Sequence, residues 1–422
     1  MPGAYRRLAR SLPITTVCNL AQTVRVDHAH SEGALHHQRL QAVISDELDR
    51  RRADVVAIDP RLAGMVDLLV GFVSEGGKRL RPEFLWCGWT AGVGAVGSSG
   101  QRAGLGAHPA PYRGADRAAN RAADRAADSD AVLLVAAALE LIQACALVHD
   151  DVIDRSERRR GGPSMHRAMA KVHADAGLSG DSEHFGVSAA VLLGDLALAW
   201  ADDLYTAGAQ ALSAVDRSLP VWRAMRTEVL SGQLLDLLGT AAVSTDPAAQ
   251  SRDAMRVNRF KTAAYTVERP LQLGATLAGA APATVAALRT FGADVGVAFQ
   301  LRDDLLGVYG DPAVTGKPTG DDLVEGKRTL LLATARAGLA GDQVLLDELD
   351  AGIGAAGADP GRLADIIAGT GAPESLERRI AGLVESGLAA LAGRDDRGRP
   401  IVAATARDRL TELAHLATAR TF

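Results

Sequence analysis

Two groups of carboxylates have a spacing that chemistry could use. The stretch HDDVIDRSERRRGGPSMH places Asp150, Asp151 and Asp154 within five residues and follows them with Arg159 and Arg160. On a helix, positions i and i+4 share a face, so Asp150 and Asp154 project together. Like charges that close repel by roughly a few tenths of a kcal/mol even when exposed. A hard divalent cation removes the conflict. Mg2+ takes one or two carboxylates and completes its shell with water and phosphate oxygens. The spacing therefore suits a metal–diphosphate site. Taken alone, it equally describes a solvated helix end. His149 fits a hydrogen-bonding partner of the acids better than a metal ligand.

The second group lies in FQLRDDLLGVYGDPAVTGKPTGDDLVEGKRTLLL, which spans Phe299 to Leu332. Asp303 and Asp304 sit on an apolar helical run, one turn after Gln300. Asp311, Lys317, Asp321, Asp322 and Lys327 follow in a Gly/Pro-rich loop. Carboxylates on a helix and lysines on a loop again describe metal plus phosphate. Cations gather elsewhere too. Arg159 and Arg160 precede Gly161-Gly162-Pro163, and Lys78, Arg79 and Arg81 follow Gly76-Gly77. Arginine forks bind phosphate oxygens bidentately, and glycine lets the backbone approach an anion. Either cluster alone would read as a solvated face. Two acidic groups and two basic ones in one chain point to a shared cavity. Asp202-Asp203 in AWADDLY fit no such scheme and read as a solvated helix face.

The elements that must position these groups are helices. The chain has 422 residues, 47% of them hydrophobic and only 4% aromatic. Alanine and leucine dominate, which favours helix over sheet. Helical periodicity starts near His36 with Leu40, Val43, Ile44 and Leu48, and resumes from Met65 to Val73. Pro82 suits a first helical turn. Long apolar segments follow from Ala131 onward, including MRTEVLSGQLLDLLG and FKTAAYTVERPLQLGATLAG. No strand alternation stands out, so the expected fold is all-α, many antiparallel helices packed as one domain.

Residues 1–34 read as a weakly structured segment ahead of a domain over 35–422. Residues from about 94 to 130 read as a low-complexity surface insertion, whose ADRAANRAADRAAD repeat could form an exposed helix. The run Ala131–Val148 is long enough to raise a membrane question. Glu140 and Gln143 within it, and the charge at its end, favour a buried core helix. Net charge is −5, which argues against a nucleic-acid binder. Three separated cysteines without a CxxC pair fit a reducing compartment, and a cytoplasmic location is expected.

In this order the motifs resemble those of the trans-polyprenyl diphosphate synthases. That family's GGKRxRP is matched by Gly76 to Pro82, and its DDxxD and RRG by Asp150–Asp154 and Arg159–Gly161. Its Lys-Thr pair is matched by Lys261-Thr262, and its FQxxDDxxD with a downstream GK by Phe299 to Lys317. Lys327 matches the last lysine. One departure stands out: Gly307 occupies the place where the family often has a third aspartate.

The resemblance implies the isoprenoid synthase fold, a helical bundle around a central cavity, in a homodimer. It implies Mg2+ held by Asp150, Asp151, Asp154, Asp303 and Asp304. Asp150, Asp154, Arg159, Lys261, Asp303 and Lys317 would be catalytic. An allylic diphosphate (dimethylallyl, geranyl or farnesyl) would contact Arg159, Lys261, Thr262, Gln300, Lys317 and Lys327. Isopentenyl diphosphate would contact Lys78, Arg81, Gln143 and Arg160. Small residues at Cys145 and Ala146, the chain-length positions, with Ile142 and Leu139 deeper, would leave the tail pocket open beyond fifteen carbons. A geranylgeranyl product is expected. A longer-chain synthase, a class I terpene cyclase and a non-catalytic partner subunit are the alternatives.

Overall fold

Leucine and alanine recurring every three to four residues give each helix an apolar stripe, and the stripes must be buried against one another. The computed structural model describes residues 29–75, 77, 79–97, 114–241, 246–312 and 319–418. The helices are α1 (Ala29–Ile58), α2 (Ala63–Ser74), α3 (Leu80–Gly97), α4 (Gly114–Ile153), α5 (Met165–Asp175), α6 (Ser182–Ala211), α7 (Val215–Ala241) and α8 (Pro247–Val257). A π-helical segment, Asn258–Glu268, leads into α9 (Arg269–Leu277) and α10 (Pro282–Tyr309). Then come α11 (Asp321–Val324), α12 (Leu330–Gly338), α13 (Gln343–Gly352), α14 (Pro360–Gly369), α15 (Ala372–Leu391) and α16 (Ala404–Thr418). The strands among the described residues are β1 (Arg158–Arg159) and β2 (Gly162–Pro163), paired antiparallel. The all-α expectation therefore stands.

Three packed regions surround the site. The largest joins α1, α2, α4, α6 and α7 through residues such as Leu40, Leu69, Leu139, Ala197 and Met225. A second unites α10 with α12, α14 and α15 around Leu301, Leu305, Leu331 and Ile367. A third joins α3, α9, α10 and α16 through Phe84, Leu271, Phe291 and Leu410. Each such leucine contributes about 1.5–3 kcal/mol of apolar burial. Asp181, Asp246 and Asp359 cap the starts of α6, α8 and α14 by accepting from the backbone N–H of the second residue of each helix.

Several expectations change. Helical structure begins at Ala29 rather than near His36. The repeat within the expected insertion is helical, as its composition allowed, but not a separate helix: residues 114–130 are the first turns of α4, which continues unbroken to the acidic motif. Residues 98–113 and 1–28 lie outside the described structure. Ala127–Ile153 and Ser182–Ala211 are both long and apolar enough to cross a bilayer. The first is sheathed by other helices, with Val132, Leu133 and Ala138 fully enclosed, as expected of a core helix. Asp202 and Asp203 are not simply solvated. Asp202 accepts from Trp222 Nε1 at 2.7 Å and pairs with Arg226, and Asp203 pairs with Arg51 at 2.9 Å. They tie α6 to α7 and α1. Cys87 and Cys145 are free thiols.

Candidate active site

The carboxyl end of α4 builds the first half of the site. The helical turn continues one residue past Ile153, because Asp154 N–H donates to Asp150 C=O at 2.8 Å. The two acids share a face as the spacing requires. Arg155 then adopts a left-handed φ of 54°, and Ser156 N–H returns to Asp151 C=O at 2.9 Å. That geometry terminates the helix. A tight hairpin follows, with positive φ at both Arg160 (53°) and Gly161 (80°). This is the primed turn whose twist matches two paired strands, and glycine adopts it without a Cβ penalty. It folds Arg159 back over the acids it follows in sequence.

Arg159 donates to Asp151 Oδ1 at 2.8 and 2.5 Å and to Asp150 Oδ2 at 3.3 Å. Arg160 turns the other way. It donates to the Phe72 carbonyl at 3.0 Å and lies 4.8 Å from that ring's centre. Asp151 departs from the expected metal-ligand role. One residue on from Asp150 lies about 100° around the helix, which buries Asp151 completely beneath Arg159. It positions that guanidinium rather than facing the cavity. His149 bonds Val191 C=O at 3.1 Å and Cys145 Sγ at 3.7 Å; it is a hydrogen-bonding histidine, but these partners are not the acids of the motif as expected.

The other half comes from α7, the π segment and α10. Lys261 Nζ donates to Asp150 Oδ1 at 3.0 Å and to Asp236 Oδ2 at 2.5 Å. It can reach both because its backbone lies against Gly232. A Cβ there would meet Lys261 N at 2.3 Å. The wide π turn also presents Asn258, Thr262, Tyr265 and Thr266 to the cavity. Tyr265 OH donates to Gln143 at 2.6 Å, and Arg81 stacks over its ring at 4.3 Å while donating to Thr266 Oγ1 at 2.8 Å. On α10, Asp303 faces the cavity. Asp304 is nearly enclosed, accepting from Gln300 at 2.9 Å and Asn258 at 3.4 Å.

Asp150 and Asp303 thus line one cavity of about 660 Å³, together with Arg81, Gln143, Arg160, Lys261 and Lys327. Burial opposes charge at Asp150, but Lys261 and Arg159 outweigh it and hold the carboxyl below its ordinary range. Burial and the neighbouring Asp150 push Asp154 up to about 6. Burial, with Asp322 and Asp303 nearby, pushes Asp304 up to about 7. Lys261 and Lys327 resist the same desolvation because carboxylates surround them, and their pKa values rise. Among the described residues no three metal-ligating side chains converge. The donor set of oxygen acids on facing helices, with cations between them, suits Mg2+ that arrives with phosphate oxygens.

Residues 65–351 match the family model described as polyprenyl synthetase. The chain belongs to that family. It is similar to the geranylgeranyl diphosphate synthase of Mycobacterium tuberculosis, 38% identical over 203 residues, covering 48% of this chain. The matched stretch spans about half the length of that relative, 51%. It is also similar to the geranylfarnesyl diphosphate synthase of Aeropyrum pernix, 35% identical over 253 residues, covering 60% of this chain and 72% of that protein. The solved geranylgeranyl pyrophosphate synthase of Corynebacterium glutamicum, complexed with isoprenyl diphosphate and magnesium, is 41% identical with a TM-score of 0.75. The alignment covers 91% of this chain and 99% of that one. The all-α bundle is accordingly the isoprenoid synthase fold.

The polyprenyl synthetase motifs read in the sequence come together, with exceptions. Lys78 and Lys317 lie outside the described residues. Ala146 lines the cavity, but Cys145 does not. Its side chain is turned to His149, and burial pushes its thiol up to about 12. The expected pocket wall through Cys145, Ile142 and Leu139 is thus packed core in this structure. Sequence reading also missed Gln233, Asp236, Asn258 and Tyr265, all at the cavity. Asp236 had one local signal, an acid inside the apolar run LLDLLG.

Proposed function

We propose that this protein condenses isopentenyl diphosphate head-to-tail with an allylic diphosphate, in a Mg2+-dependent reaction giving an all-trans polyprenyl diphosphate. The observation that carries this reading is the shared cavity. Asp150 and Asp303 reach it from separate helices, with two sets of cations around them. Asp150, Asp154 and Asp303 would hold the metal. Bound Mg2+ supplies neutralisation of the charge that develops on departing pyrophosphate.

Arg159, Lys261 and Lys327 hold the allylic phosphates, with Thr262 and Gln300 beside them and Lys317 expected from the loop. These fixed cations stabilise the leaving group as the carbon–oxygen bond breaks. Arg81, Gln143 and Arg160, with Lys78 expected nearby, seat isopentenyl diphosphate. Its double bond attacks the allylic cation, and the departed pyrophosphate takes up the one proton then lost, giving a chain five carbons longer. Ala146, Leu147 and Val229 exclude water, which would quench the cation.

The product we favour is geranylgeranyl diphosphate. Lys261 joins Asp150 and Asp236 at the cavity's acidic rim. Down α7 from that rim, Val229, Met225 and Trp222 follow at helical spacing. At 1.5 Å per residue Trp222 lies about 21 Å below Asp236. It stacks on Tyr205, 4.4 Å between centres, and is pinned by Asp202, while Tyr205 bonds Ser218 at 2.8 Å. An extended prenyl unit advances roughly 5 Å over four bonds of ordinary length, so four units reach that stack. Between rim and stack lies Met225, whose unbranched side chain can yield. A farnesyl product is the second reading, because the open cavity ends near Val229, about 10 Å down at the same rise.

Purified protein should be incubated with labelled isopentenyl diphosphate and each allylic primer, and the dephosphorylated products sized. A twenty-carbon product requiring divalent metal is expected. Farnesyl alone selects the second reading. No condensation with any primer overturns the function, and cyclised hydrocarbon formed without isopentenyl diphosphate would indicate a cyclase.

We also propose a homodimer. Leu230, Leu234, Leu237 and Leu238 form an exposed stripe on α7, and Val187, Val191 and Leu192 are exposed on α6. An apolar face of that kind supports contact with a second copy.

A further inference from the structure

The π segment ends on a buried acid that the reaction does not use. Glu268 is almost fully enclosed, and two arginines meet its carboxylate. Arg289 of α10 donates to Oε1 at 3.0 Å. Arg259, at the start of the same π segment, forms an ion pair with Oε2, a buried oxygen that accepts no hydrogen bond among the described residues. Arg259 and Glu268 stand at i and i+9. Around an α-helix of 3.6 residues per turn they would lie about 180° apart, on opposite sides. Closure by i→i+5 bonds widens the turn, so the same step makes about two whole turns. The pair is therefore open to this segment as a π-helix and closed to it as an α-helix.

The same geometry acts in the cavity. Lys261, which donates to Asp150 at 3.0 Å, and Thr266, which accepts from Arg81 at 2.8 Å, stand at i and i+5. An α-helix would set them about 140° apart. One wide turn brings them roughly onto one face. Helix α10 lies directly against the segment, where a Cβ at Gly292 would be 2.5 Å from Glu268 Cα and one at Gly296 2.8 Å from Ala263 Cα.

We propose that Arg259 and Glu268 are positioning residues whose ion pair holds the segment in its wide π register. That register lets one segment serve both diphosphates, the allylic one through Lys261 and isopentenyl diphosphate through Thr266 and Arg81. Arg289 neutralises the same acid from outside the segment and sets no register. Loss of Arg259 would leave Oε2 buried without its counter-charge, a cost the segment sheds by tightening into α-helical turns that rotate the acid away. This inference rests on the condensation reading given above.

The test compares Arg259→Met, Arg259→Lys, Arg289→Met and Glu268→Gln in the full chain. Arg259 and Arg289 are partly exposed, at 30% and 44%, so their variants should fold, and thermal melts check that. Arg259→Met should raise KM for isopentenyl diphosphate and for the allylic primer together. It should lower kcat/KM by about tenfold or more, the scale of loss when a distant change misplaces reacting groups. Glu268→Gln should do the same, and Arg259→Met decides the matter even where that variant does not fold. Arg259→Lys should recover most of the loss. Arg289→Met should leave kcat/KM close to that of the unaltered protein at a similar loss of melting temperature. Crystals of Arg259→Met should show i→i+4 bonds in place of i→i+5 bonds over residues 258–268. Equal kinetic losses in Arg259→Met and Arg289→Met would overturn the inference, as would a retained π register in Arg259→Met. Absence of condensation by the unaltered protein would overturn the functional reading instead, and the backbone of Arg259→Met would still decide whether the pair holds the register.

Discussion

Asp304 shows how the site sets chemistry against stability at the level of one residue. Burial, with Asp322 and Asp303 nearby, raises its pKa to about 7 from 3.8, against the hydrogen bonds it accepts from Gln300 and Asn258. A carboxyl whose folded pKa is raised favours the folded state only while protonated. Its contribution is therefore largest below its unfolded value and is lost as pH rises through its folded one. Without added metal, Asp304→Asn should melt above the wild type at pH 8, by a few kcal/mol at most. The gap should shrink through the window from about 7 to 3.8 set by those values. Melts across pH check this, and a pH-independent difference would contradict it. Asp151 plays the opposite part. Its burial under Arg159 aims a guanidinium at the acids, and it works through that neighbour rather than on a metal.

Three elements turn sequence neighbours into a site. The end of α4 presents Asp150 and Asp154, the β1–β2 turn reverses Arg159 onto them, and the π segment widens to present Lys261 and Tyr265. The spacing of the Asp150 pair was legible because helix geometry is local. A sharp turn was legible in RRGGP, since glycine and proline reverse a chain, but the paired strands around it were not. The π geometry was not, because FKTAAYTVE reads as any helix. Its widening goes with the close approach at Gly232 from another helix. Within α4, orientation separates the two chain-length positions. Ala146→Phe, at the cavity wall, should shorten the product by at least one prenyl unit. Cys145→Phe should instead overpack the core beside His149 and cost about 1–3 kcal/mol. Product sizing and thermal melts of the two variants distinguish these effects. A shortened product from a fully stable Cys145→Phe protein would show that the tail runs past that side chain.

At the scale of the whole molecule, the helices bury their stripes around one hollow but leave the α6–α7 face apolar and exposed. If a second copy covers it, charges placed there should split the assembly. Leu234→Glu with Leu238→Glu should convert a dimer into monomers by light scattering during gel filtration. A wild-type protein that is already monomeric would remove the proposal.

Sequence alone determined what depends on neighbours in the chain. That includes the helical class, the common face of Asp150 and Asp154, the turn that follows them, and an order of motifs matching one family. Only the tertiary structure decided which acids meet which cations. Lys261 joins Asp150 and Asp236 across three elements, Tyr265 joins Arg81 and Gln143, and Asp322 fills the space left at Gly307. The reason is physical. Covalent geometry fixes directions over a turn or two, whereas contacts between residues a hundred positions apart depend on how whole helices pack.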